Sequence, residues 1–80
     1  MNDSQQEIQE ESLMQISARN QLQGRVKEVV LGTVMAEVLV DVGGQEVAAA
    51  ITRRSAESLG LKASDTVTVI IKATEVMIGK

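Results

Sequence analysis

The chain has no histidine, cysteine, proline, phenylalanine, tyrosine or tryptophan. Each absence removes a class of chemistry. Without cysteine there is no disulfide, no thiolate nucleophile and no cysteine-held metal. Without histidine as well, nucleophilic catalysis would fall to serine or threonine with a lysine base. Ser17, Thr52, Ser55 and Lys72 are the groups available for that, and no local spacing joins them. The acidic residues lack calcium-loop spacing, and neither a phosphate-binding loop nor a dinucleotide fingerprint occurs. Without aromatic rings there are no platforms on which single-stranded nucleic acid would stack. No apolar run approaches transmembrane length, and the N-terminus has no apolar segment of the signal-peptide kind. The expectation is a protein that is not an enzyme, coordinates no metal directly, uses no cofactor, and binds neither nucleic acid nor membrane. Lack of cysteine is compatible with a cytoplasmic location.

Eighty residues make one small domain at most. Such a domain buries a modest share of its surface, and here it lacks the rings that supply the largest buried areas. Small domains are commonly held by a disulfide, a metal or a partner subunit. With the first two removed, self-association is the expected staple. The net charge of −3 is unevenly spread. Asp3, Glu7, Glu10 and Glu11 account for four of the eleven acidic residues, and no Lys or Arg lies among them. Residues 1–15 therefore read as a flexible acidic tail. The remaining seven acidic residues stand against all eight basic ones, so the folded part is nearly neutral. An anionic ligand is compatible with that balance, whereas a large nucleic-acid footprint would need a denser basic face.

From Gln21 onward the pattern has period two. Leu22, Gly24 and Val26 alternate with polar residues, which predicts a strand. Val29-Val30-Leu31 breaks the alternation and predicts a bulge nearby. Val34, Ala36, Val38, Val40 and Val42 share one face of the next strand, and Gly43-Gly44 predicts a tight hairpin into a third, Val47–Ile51. Thr52–Leu59 reads as a short helix with Thr52 as N-cap, Ala56 and Leu59 facing inward, and Gly60 closing it. Thr66–Lys72 is a fourth strand, and Glu75–Ile78 a short fifth. The expected fold is all-β: a small five-stranded barrel, closed or partly closed, with one short helix. Apolar residues on both sides of Val29–Leu31 and Val69–Ile71 suggest a second face buried by a neighbouring subunit.

What remains chemically is a set of oxyanion donors. Ile16-Ser17-Ala18-Arg19-Asn20-Gln21-Leu22 puts a hydroxyl, a guanidinium and two amides side by side. Arginine suits a tetrahedral oxyanion because two of its donors meet two oxygens. Thr52-Arg53-Arg54-Ser55 lies at the predicted helix start, where free amide hydrogens favour an anion. Lys72 follows a strongly apolar strand, where its charge wants a partner. Together these supply fixed positive charge, hydroxyls and backbone amides for a dianion with four oxygens.

Ser17-Ala18-Arg19-Asn20-Gln21-Leu22-x-Gly24 before a valine-rich strand resembles the molbindin (Mop) domain, also called a TOBE domain. The resemblance continues through Val34–Gly44, Ile51-Thr52-x-x-Ser55-x-x-x-Leu59-Gly60-Leu61 and Val69–Met77, and covers about residues 16–79, so that residues 16–80 are expected to form one domain after the acidic tail. It implies an OB-like barrel, a hexamer with sites at subunit interfaces, and noncovalent binding of molybdate or tungstate for intracellular storage. It also implies ligand donors at Ser17, Ala18, Arg19 and Asn20 from one subunit. Thr52, Ser55, Lys72 and Ala73 would come from another. Members of the family also occur in molybdate-responsive regulators, so a regulatory or protein-interaction module is the alternative function. The stretch before Ile16 is longer than the family's usual start and lacks a DNA-reading pattern.

Overall fold

The computed structural model describes residues 15–80. The acidic tail expected over residues 1–15 therefore lies, Gln15 apart, outside the described residues. The element order is β1 (Asn20–Leu31), β2 (Met35–Val42), β3 (Gln45–Thr52), α1 (Arg53–Leu59) and β4 (Thr66–Ile71), followed by a single 3-10 turn over Ala73–Glu75. The strands form one antiparallel sheet in the order β3-β2-β1-β4.

β1 organises the sheet because it is shared. Its first half, Asn20–Arg25, pairs with β4, and its second half, Arg25–Leu31, pairs with β2. The register with β2 shifts between Val26 and Glu28, which is the predicted bulge. Lys27 is the extra residue, and it moves the inward parity from Gly24 and Val26 to Val29. Val26 sits where the two pairings meet. Its amide donates to the Asp65 carbonyl (2.9 Å), and its carbonyl accepts from the Ser64 amide (2.8 Å). It is 2% exposed and forms the core with Val38 and Val40. Val29, Val42, Ile51, Leu61, Val67 and Val69 pack around them. The Gly43-Gly44 hairpin forms as expected, both residues having positive φ (57° and 88°). That twist matches the strands it joins.

The structure differs from expectation in two places. Among the described residues there are four strands rather than the five expected. After β4 the Glu75 amide donates to the Lys72 carbonyl (2.8 Å), and the tight turn leads Val76–Ile78 away from the sheet. Met77 and Ile78 are 91% and 90% exposed. Second, Leu59 points outward (69% exposed), while Ala56, as expected, is buried. In a helix of seven residues only the middle turn lies against the sheet, and Leu59 is at its end. The second apolar face, which the sequence pattern assigns to a neighbouring subunit, is left uncovered within one chain: Val30, Leu31 and Ile70 are all exposed.

Candidate functional site

The donors predicted from the sequence fall into two groups. Ser17, Ala18 and Arg19 lead into β1, which opens at Asn20. Asn20 is in register with Ile71, the last residue of β4, and its side-chain Nδ2 donates to the Ile71 carbonyl (3.1 Å). Lys72 and Ala73 follow directly. The segment Ser17–Arg19 and the pair Lys72–Ala73 therefore extend from the same end of the same strand pair. The resemblance groups Lys72 and Ala73 with Thr52 and Ser55; within one chain the β1–β4 ladder sets them beside Ser17–Asn20.

Local bonds fix this end. Gln21 Nε2 donates to the Ala18 carbonyl (2.8 Å), which clips the approach to β1. Asn20 is committed to Ile71, so its first task is to hold the two strands together. Ser17 and Arg19 stay exposed, as does Lys72. Among the described residues neither Arg19 nor Lys72 takes part in an ion pair. Two unneutralised cations thus flank one strand end. Ala73 opens the 3-10 turn, and the first amides of a helical turn have no partner inside it. Charge, a hydroxyl and backbone donors are all present there.

The second group lies past the other end of β1. Leu31 pairs with Ala36, Ala36 with Ile51, and Met35 with Thr52. Thr52 ends β3 and caps α1, and its Oγ1 accepts from the Ser55 amide (3.0 Å). The same hydroxyl donates to Ser55 Oγ (2.8 Å). The Thr52 hydroxyl is thereby engaged locally with Ser55, and both residues stand exposed at the helix start. The two arginines also separate here. Arg53 is tied to Glu57 (2.9 Å) and to the Gly32 carbonyl (3.2 Å), whereas Arg54 is exposed and in no ion pair among the described residues. Arg54 is the available cation of this group. The cue in the sequence was the i,i+4 spacing of Arg53 and Glu57, which takes Arg53 out of play.

Thr52→Ala is expected to lower stability by about 1 kcal/mol, since it removes the cap. Ser55→Ala keeps the amide that the cap satisfies and is expected to leave stability nearly unchanged. Urea unfolding of the two variants measures the difference.

Residues 16–78 match the TOBE domain. The chain is 48% identical over 66 residues to molybdenum-pterin-binding protein 3 of Clostridium pasteurianum, covering 81% of this chain and 97% of that protein. It is 42% identical over 67 residues to a probable molybdenum-pterin-binding protein of Haemophilus influenzae, covering 82% and 97% respectively. Among solved structures, a molybdate-binding protein from Sporomusa ovata superposes with a TM-score of 0.80 at 49% identity, over 84% of this chain and all of that one. A cytoplasmic molybdate-binding protein with molybdate bound superposes at 0.72 and 44% identity, over 75% of this chain and 43% of that one.

Proposed function

The chain belongs to the TOBE-domain family, and from that premise we propose that it binds molybdate, and tungstate with it, for intracellular storage and homeostasis. It is a binding domain of that family, not an enzyme. The observation that carries the ligand is the strand end where Arg19 and Lys72 lie just beyond the Asn20–Ile71 pair, neither in an ion pair among the described residues. The oxyanion is held through its oxygens. Arg19 and Lys72 supply charge, Ser17 and Ser55 supply hydroxyl protons, and the amides at Ala18 and Ala73 complete the set. Thr52 positions Ser55, and Asn20 positions the approach to β1. The two donor groups lie past opposite ends of β1, so a complete pocket takes one group from each of two copies. That arrangement fits a homo-oligomer, with the hexamer of the resemblance as its form. The cytoplasm is the proposed location, in keeping with the relative described as cytoplasmic.

Micromolar binding corresponds to about 8 kcal/mol. Each charge-assisted hydrogen bond contributes about 1.5–3 kcal/mol. A half-dozen such bonds reach that affinity after several kcal/mol are lost to ordering. Titration calorimetry with molybdate is expected to show micromolar or tighter binding, with tungstate similar and sulfate and phosphate weaker. No heat and no thermal stabilisation at millimolar molybdate would sink the proposal.

A further inference from the structure

Two side-chain amides stand next to each other at the start of β1, and each is bonded to a carbonyl. Gln21 Nε2 donates to the Ala18 carbonyl (2.8 Å), and Asn20 Nδ2 donates to the Ile71 carbonyl (3.1 Å). Successive residues of a strand face opposite sides, so the two amides leave β1 on opposite faces. Ala18 precedes Arg19, and Ile71 precedes Lys72. Each carbonyl therefore belongs to the peptide group that leads into one of the two cations. These peptides are trans and planar, and in such a group the N–H points opposite to the C=O. Holding the Ala18 carbonyl fixes the direction of the Arg19 N–H, and holding the Ile71 carbonyl fixes that of the Lys72 N–H. Among the described residues neither of these N–H groups donates to a turn or loop carbonyl.

We propose that Gln21, together with Asn20, is a positioning residue for the oxyanion: the two amides turn the carbonyls before Arg19 and Lys72 away from the ligand and present the N–H groups of those residues to it. A carbonyl oxygen facing a dianion repels it, whereas the reversed peptide dipole attracts it. A dipole already fixed in the favourable direction needs no reorganisation when the anion arrives. Gln21 is exposed and its bond spans three residues, so the bond adds nothing to the core. Its effect falls on Ser17–Arg19, the donor segment that precedes β1. Asn20 is half-buried and also ties β1 to β4, which mixes positioning with stability. Gln21 separates the two. The proposal rests on the reading of the Arg19–Lys72 end as the oxyanion site.

Gln21→Met keeps the length of the side chain and removes the donor. It is expected to weaken molybdate binding in calorimetry by about 2- to 10-fold, the range of one neutral hydrogen bond, and to leave the melting temperature of the ligand-free protein unchanged. Gln23→Met is the control. Gln23 is exposed, lies two residues further along β1 on the same face, and makes no side-chain hydrogen bond among the described residues. It is expected to bind as the unsubstituted protein does. Equal affinity of the two variants overturns the proposal. A second measurement needs no substitution. At saturating molybdate the backbone amide protons of Arg19 and Lys72 in the isotope-labelled protein are expected to shift downfield, because each gains an anionic acceptor. If either stays in place, the proposal is overturned. Matching variants beside an unsubstituted protein that binds molybdate remove the positioning role and leave the oxyanion site standing. An unsubstituted protein that does not bind molybdate removes both.

Discussion

Arg19→Ala is expected to weaken molybdate binding by roughly 10- to 150-fold, the equivalent of one charge-assisted interaction of about 1.5–3 kcal/mol. Thermal stability is expected to stay where it was. Arg19 is exposed, lies just before β1, and makes no ion pair among the described residues. Its removal takes nothing from the core or the ladder, and such surface changes fall within about 0.5 kcal/mol. Arg19→Lys separates charge from geometry: the ammonium keeps the charge but loses the planar fork, so an intermediate affinity is expected. Lys72→Ala acts in the same direction. If both cations address the same dianion, their effects are not independent, and the double variant departs from the sum of the singles. Calorimetry on the four proteins, beside their melting curves, measures all of this. Affinity unchanged in Arg19→Ala would mean that the segment before β1 is structural and the site lies elsewhere.

Most of the fold was legible because its signals are local. The inward row Ala36, Val38 and Val40, the paired glycines at the hairpin, and Thr52 and Gly60 at the two ends of α1 each depend on neighbours within a few residues. The bulge in β1 was legible as a break in period, and the structure places it at Lys27. The fifth strand was misread for a related reason. Val76-Met77-Ile78 has the composition of a strand, but strand formation needs an edge to pair with. The turn at Ala73–Glu75 takes the segment away from its own. Composition registers the propensity and is silent about the partner. The site divides in the same way. Ser17–Asn20 stood out as a run of donors, and Thr52–Ser55 as a helix start. That Asn20 is spent on Ile71, Thr52 on Ser55 and Arg53 on Glu57 is a matter of which atom meets which. That depends on β1 being shared between β2 and β4, a pairing across some fifty residues of chain from Asn20 to Ile71.

The largest effect on stability is expected at Gly24, for a reason that follows from that sharing. Gly24 lies at the handover of β1 from β4 to β2, where the strand passes closely over its neighbour. A Cβ there would meet Val40 Cγ1 at 2.6 Å, the Asp41 carbonyl oxygen at 2.7 Å and Val42 Cγ2 at 2.9 Å. The two valine methyls have some freedom to turn, although Val40 belongs to the core and is 2% exposed. The carbonyl has none, because Asp41 is held in the ladder opposite Arg25 and Glu46. Relief therefore means moving β1 off β2 at the point where Val26 anchors the core. Overpacking of this kind costs about 1–3 kcal/mol for the smallest addition. Gly24→Ala is expected to lie in that range, and Gly24→Val beyond it. In a domain this small that is a large part of the total, and each kcal/mol lowers the melting temperature by roughly 4–8 °C. Gly79→Ala is the control, since nothing lies within 4 Å of its added Cβ. If Gly24→Ala and Gly79→Ala melt together, β1 does not cross β2 as closely as the structure requires. The sharing of one strand between two pairings would then need another explanation.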